Sequence, residues 1–191
     1  ICNMEECNKV VLIASEIQVP ADLCLPLSGA LIDWIKKSNA SATIMIDAYS
    51  PGVENKHTIF DEDDSDGSLL GIGSIEDSHK ILKELNVPLL KQGIIGGMTG
   101  VMMGESRRKS VNTVAMLAEA SGEFGNGTIP DSRAAARIIN CLDKLLPAIY
   151  LDSEPLLIEA QRIEEQIREM MALQLNPSAE QATNESSNMY G

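Results

Sequence analysis

The sequence predicts an α/β protein: a three-layer α/β/α sandwich with a mostly parallel sheet, a C-terminal helix and a disordered tail. Three observations carry this. Short apolar runs rich in β-branched residues, "KVVLIA" at 9–14, "ATIMIDA" at 42–48 and "VNTVAMLA" at 111–118, alternate with stretches of helical spacing. Strands buried on both faces read in this way, and their alternation with helices implies a layered body. The chain has 191 residues, of which 44% are hydrophobic, enough for a single well-filled core. Apolar content then vanishes after Asn176-Pro177.

The elements follow in order. The run 9–14 is predicted to be a buried parallel strand. From Asp22 to Lys37, Leu27, Leu31, Trp34 and Ile35 share one helical face, and Lys36 and Lys37 close the segment where the helix dipole favours cations. The run 42–48 completes a strand–helix–strand unit of the kind that forms a right-handed crossover. Leu69–Ile72 is a short strand, and Ser74 with Asp77 three residues later reads as the start of a helix containing Ile75, Ile81, Leu82 and Leu85. A helix is expected over Gly97–Lys109 and a strand over Val111–Ala118. Asp131 is placed to cap a helix that Pro147 stops. The last helix, Ser153–Leu175, carries Leu156, Ala160, Ile163, Ile167 and Met170 at steps of four and three, a seam suited either to its own domain or to a neighbouring subunit. Residues 1–175 are thus expected to form one domain and 176–191 a flexible tail, because "SAEQATNESSN" cannot bury enough surface to offset the entropy of ordering it. The first residue is Ile1, followed within about ten residues by a strand-like run, as expected of a fragment of a longer protein.

Charge and composition narrow the partners. With 28 acidic against 15 basic residues the formal net charge is −13, which repels nucleic-acid phosphates and anionic lipid. Cys2, Cys7, Cys24 and Cys141 form no Cys-x-x-Cys pair, and His57 and His79 are far apart, so no metal site is expected and the thiols read as reduced, in a cytoplasmic setting. No apolar run is long enough to span a bilayer.

Candidate chemistry is sparse. Gly93, Gly96, Gly97 and Gly100 in "GIIGGMTG" precede a helix and could cradle a phosphate, yet neither G-x-G-x-x-G nor the Gly-Lys-Ser/Thr ending of a phosphate loop is present. A tight turn with close helix approach is the stronger reading. The acidic run Asp61–Gly67 lacks the twelfth-position glutamate of a calcium loop, where Gly73 stands. There is no G-x-S-x-G elbow for nucleophilic catalysis. Arg107, Arg108 and Lys109 close a helix, as the dipole favours. Glu105, Glu119 and Glu123 fall near element ends, where α/β active sites lie, but a chain this acidic places some there in any case. No catalytic residue, cofactor or metal ligand is assigned.

The tail is different. With 3 Tyr in 191 residues and 44% hydrophobics, a hydrophobic-Tyr-any ending arises by chance in roughly 0.7% of such chains if positions are independent. Met189 can adapt to an apolar wall, Tyr190 supplies a rigid aromatic contact, and the carboxylate of Gly191 can pair with a lysine or backbone amides. The 13-residue spacer Asn176–Asn188 gives these three a root-mean-square reach of about 20 Å.

The segments "GIIGGMTGVMMGES", "VNTVAMLAEASGEF", "PDSRAAARIINCLDKLL" and "EAQRIEEQIREMM", in this order, resemble the archaeal branch of the proteasome assembly chaperone family, also labelled ATP-grasp-like. The resemblance covers most of residues 9–172. It implies an α/β/α body that forms homo-oligomers and acts without catalysis, binding α-subunits of the 20S proteasome as an assembly chaperone or an activator. Some members end in a hydrophobic-Tyr-any motif that enters pockets of the α-ring, and the motif maps onto Met189, Tyr190 and Gly191. The family's additional N-terminal strand–helix segment has no counterpart here, and "GEFGNGTIPDSR" carries extra residues before Pro130.

The resulting expectation is a non-enzymatic, cytoplasmic proteasome-interacting factor with no nucleic-acid or membrane partner. A nucleotide-binding ligase-like or nucleoside-processing enzyme using Gly93–Gly100 is the alternative.

Overall fold

A computed structural model describes residues 10–49, 68–120, 131–146 and 150–175. In chain order these form α1 (Ala21–Lys37), β1 (Thr43–Tyr49), β2 (Leu69–Gly73), α2 (Glu76–Glu84), α3 (Gly97–Arg108), β3 (Thr113–Glu119), α4 (Ser132–Leu145) and α5 (Glu154–Leu175). The chain is a mixed α/β protein, as the alternation of runs predicts.

The described strands form one sheet in the order β1-β3-β2. β3 lies parallel to β1, with Thr43 beside Thr113 and Tyr49 beside Glu119. It lies antiparallel to β2, with Leu69 beside Ala118 and Gly73 beside Val114. The described sheet is therefore mixed, one pairing of each kind, rather than mostly parallel. Strand composition announces burial but not direction, since β2 and β1 are both short apolar runs. β3, flanked on both edges, is buried from Thr113 to Ala118.

Alternate residues of the sheet join two different apolar clusters, as the period of two requires. Ile44, Val114, Met116 and Ala118 pack with Leu82 and Leu85 around α2 and with Ala134, Ile138 and Cys141 of α4. Met45, one residue on from Ile44, joins Ile32 and Ile35 of α1, Met102 of α3 and Val111. Gly71 on β2 permits the first arrangement: a Cβ there would stand 2.4 Å from Leu82 Cδ2, so α2 can lie on the strand only where no side chain intervenes.

The predicted strand at 9–14 is not formed. Val10 makes an isolated bridge, and the residues after it belong to no strand. Leu12 and Ile13 are 82% and 62% exposed. Apolar, β-branched composition suits a pleated surface but does not by itself choose a strand partner; among the described residues β1 keeps β3 as its neighbour and 9–14 does not join its other edge.

Helix starts follow local chemistry. The Asp131 carboxylate accepts the Ala134 N–H at 2.8 Å and caps α4 as its sequence position predicts. α2 begins one residue later than expected, because Ser74 is engaged elsewhere: its hydroxyl donates to Val111 O at 2.7 Å and accepts from Thr113 N at 2.9 Å, stitching the loop to β3. The cap falls to Ser78, which accepts the Ile75 N–H at 2.9 Å. No helix among the described residues is long and apolar enough to cross a membrane.

Candidate functional site

β1 and β3 end side by side, and the carboxyl edge of parallel strands is where α/β folds place ligands and partners. Two polar constellations stand there. Asp47, the one charged residue within "ATIMIDA", accepts the Thr99 hydroxyl at 2.7 Å through Oδ2 and the Ala48 N–H at 2.8 Å through Oδ1. Thr99 is buried in the first turn of α3, which has no acidic residue of its own, so the Asp47 carboxylate supplies the negative charge that the helix dipole favours.

The second constellation joins all three strands. Glu119 Oε2 accepts from Ser68 N at 2.9 Å, Ser68 Oγ at 2.8 Å and Tyr49 Oη at 3.4 Å, and Tyr49 also meets Ser68 through their hydroxyls. Burial pushes the Tyr49 phenol above its ordinary pKa; the bond from Ser68 opposes this and the Glu119 charge adds to it, so the ring stays neutral at physiological pH. From α4, Arg137 donates through Nη2 to the Glu119 carbonyl, while its buried Nε has no partner. The Tyr49, Ser68 and Glu119 side chains bond one another and hold the strand ends in register.

The glycine cluster sits at the same edge, and local geometry accounts for two of its members. A Cβ at Gly100 would lie 2.1 Å from the Ile95 carbonyl oxygen, and Gly97 has a φ of +62°, a conformation glycine adopts without the penalty other residues incur. The entering chain folds tightly over the first turn of α3, and Ile94 before it is fully exposed.

The remaining candidates separate. Arg108 forks onto Glu105 at 3.0 and 2.5 Å, which holds that carboxyl below its usual range, and Lys109 reaches Asp33 on α1 at 3.1 Å. These groups tie α3 internally and to α1 and are not gathered with Glu119. His79 meets the Gly73 carbonyl at 3.2 Å at the opposite end of the sheet. Cys24 and Cys141 are buried, and burial pushes the Cys141 thiol up, away from nucleophilic character. Among the described residues no three His, Cys, Asp or Glu side chains are grouped to hold a metal. His57, Asp61–Gly67, Glu123 and the tail residues Met189, Tyr190 and Gly191 lie outside the described residues.

Asp47, Thr99, Tyr49, Ser68 and Arg137 were not singled out by sequence reasoning. Asp47 had a signal, a charge interrupting an apolar strand. The others acquire meaning only through pairings across 52, 19 and 18 residues.

α5 packs on α4. Ala160 and Ile167 of its seam are buried and Leu156 and Ile163 half-buried, so the seam faces its own domain as far as Ile167. Arg133 clamps Glu164 with Nε–Oε1 at 2.5 Å and Nη2–Oε2 at 2.9 Å.

The PAC2 family profile matches residues 2–171. The chain belongs to the PAC2 family. Among solved structures, PbaA of Pyrococcus furiosus, described as an archaeal homologue of proteasome-assembly chaperone, is 30% identical, with a TM-score of 0.72 over 93% of this chain and 68% of its own. A second crystal structure of PbaA is 33% identical with a TM-score of 0.62, matching 82% of this chain and 64% of that one. PbaB of the same organism, described as an archaeal proteasome activator, shares the fold at 20% identity and a TM-score of 0.63, over 82% of this chain and 62% of its own. The chain thus spans about two thirds of the length of these relatives. No curated protein is significantly similar to it.

Proposed function

We propose that this chain is a non-catalytic proteasome-interacting factor, an assembly chaperone or activator of the 20S core, that docks its C-terminal tail into pockets between α-subunits. The observation that carries the reading is the 30% identity to PbaA over 93% of the chain, within a PAC2 match that runs from 2 to 171. The mixed α/β fold, shared with the solved structure of PbaA, supports this reading. The hydroxyl and carboxylate groups at the sheet edge are engaged with one another, Ser68 with Glu119 and Thr99 with Asp47.

In this reading Met189 and Tyr190 fill an apolar pocket, and the Gly191 carboxylate meets a cation or backbone amides at its mouth. Composition predicts an unstructured spacer between Asn176 and Asn188. Several tails on a homo-oligomer facing equivalent α-ring pockets would bind by avidity, at effective concentrations on the order of millimolar. The phosphate-cradle alternative gains no support from Gly100, whose missing side chain is accounted for by the Ile95 carbonyl.

The test is co-sedimentation of the full chain with 20S core particles, beside the Tyr190→Ala variant and a chain lacking Met189–Gly191. The expected result is retention of the intact chain and at least about tenfold weaker retention of both variants, the usual scale for an aromatic anchor. Equal retention of all three would refute the tail mechanism; no retention of any would refute the proteasome assignment.

A further inference from the structure

The attachment of α5 is asymmetric along its length. Near its start, Ser153 Oγ donates to Asn140 Oδ1 at 2.6 Å and Leu151 N donates to Asp143 Oδ1 at 3.2 Å, both close to the C-terminal end of α4. Eleven residues beyond Ser153, Glu164 meets Arg133, the second residue of α4. The two helices are therefore antiparallel, and Glu164 lies level with the first turn of α4. α5 nevertheless continues to Leu175. From Arg168 onward, past Ile167, it runs for about 12 Å at 1.5 Å per residue.

Arg133 is an unfavourable choice for the stability of α4 alone. A cation in the first turn opposes the helix dipole, and at 34% exposure its side chain is partly withdrawn from water. Glu164, at 19%, is withdrawn further, and the two-pronged geometry fixes orientation as well as distance. The pair sits where a small rotation of α5 about its base is amplified at its far end.

We propose that the Arg133–Glu164 ion pair is a latch that sets the direction in which the end of α5 leaves the body, and so aims whatever segment follows Leu175 at its partner. Its consequence for the core particle rests on the tail-docking reading. Opening the latch leaves α5 held at Asn140 and Asp143 and by the buried Ala160 and Ile167, while the part beyond Ile167 samples a wider cone. The tail chemistry is then unchanged, but simultaneous engagement of several pockets becomes less probable per encounter.

The experiment uses the full chain with nitroxide-bearing non-canonical residues at Lys83 and Gln174, read by double electron–electron resonance. The intact chain is expected to give one narrow distance distribution. Arg133→Glu and Glu164→Arg are each expected to broaden it, with thermal unfolding by circular dichroism confirming a folded body, and the double charge-swap should restore it. Core-particle binding is expected to fall about tenfold in each single variant and to recover in the double variant. Distributions equally narrow in all four chains, or singles broadened without recovery in the double, overturn the latch. A free peptide spanning Asn176–Gly191 separates the two claims. If it competes for the core particle while latch variants bind as the intact chain does, the aiming role fails and tail docking survives. If neither peptide nor intact chain binds, tail docking fails, and the distance distributions alone decide whether the latch exists.

Discussion

The two faces of the sheet are held by different means. On the face covered by α2 and α4, Leu82, Leu85, Val87, Val114, Met116, Ala118, Ala134, Ile138 and Cys141 form one continuous buried cluster. On the face covered by α1 and α3 the buried cluster is Ile32, Ile35, Met102 and Val111. Much of the rest of that interface is polar: Thr113 Oγ1 donates to Ser106 Oγ at 2.9 Å, Ser28 Oγ meets Met98 Sδ at 3.6 Å, and Thr99 donates to Asp47. The α1 side also shows apolar residues to solvent, with Leu23 and Leu25 at 50% and 58% exposure. Apolar burial is strong and undirected, whereas hydrogen bonds are individually modest and specify position. One face therefore supplies cohesion, and the other places the first turn of α3 at the carboxyl edge of β1 and β3.

The largest break in this comparison comes from truncating the dense cluster. Leu82 is fully buried beneath Gly71, and Leu82→Ala removes its methyl groups where β2 and β3 cannot close around the gap. A loss of about 4 kcal/mol is expected, toward the upper end for such truncations. Ile32 is equally buried, but on a helix bordered by solvent, so Ile32→Ala should cost about 2 kcal/mol because α1 can settle inward. Urea unfolding of both variants measures the difference; equal losses would show that the two faces are equally rigid.

A glycine pair sharpens the comparison on the weaker face. Gly100→Ala places a Cβ 2.1 Å from the Ile95 carbonyl oxygen, a backbone atom that cannot rotate away, whereas a Cβ at Gly96 meets nothing within 4 Å. Overpacking of this kind costs roughly 1–3 kcal/mol, so about 2 kcal/mol is expected for Gly100→Ala. Gly96→Ala should stay within about 0.5 kcal/mol of the intact chain, as substitutions away from packed features do. If both are tolerated, the turn is looser than its geometry indicates, and a phosphate-cradle role for it gains ground.

Which parts of this arrangement were legible in the sequence follows from what each signal encodes. α1, α4 and α5 announce themselves by helical spacing and by Asp131, because caps and amphipathic patterns are local properties, although α1 buries Cys24, Ser28, Ile32 and Ile35 and leaves Leu27 and Trp34, expected on its inner face, exposed. β1 and β3 are legible because burial on both faces leaves near-continuous apolar runs. The antiparallel direction of β2 and the failure of 9–14 to join the sheet are not, since strand partners are chosen by tertiary contacts that no window of sequence contains. The site divides in the same way. The glycine cluster was readable as a turn from composition, but the Glu119–Ser68–Tyr49 group depends on three strand ends meeting. Ser74 shows the limit within a single motif: its spacing to Asp77 fits a capping box, yet its hydroxyl bonds β3 instead.

The smallest expected effect tests whether polar contacts on the α1 and α3 face position rather than stabilise. Thr99→Val keeps the shape of a buried side chain and deletes its bond to Asp47 Oδ2. The Asp47 carboxylate is exposed and can turn to water, so the loss is that of one ordinary hydrogen bond, about 1 kcal/mol, without the larger penalty of a stranded buried charge. Its structural consequence should exceed its energetic one. With the link to β1 cut, the first turn of α3 loses its tether to the strand, and amide exchange from Gly97 to Val101 should accelerate while Leu82 and Met116 stay protected. Asp47→Asn is the partner experiment, retaining an acceptor for Thr99 without the negative charge. If Asp47→Asn leaves exchange in that turn slow, the hydrogen bond does the placing; if it speeds exchange as much as Thr99→Val, the charge does. A uniform rise in exchange across β3 in either variant would mean that this face carries cohesion too, and the division of labour between the two faces would not hold.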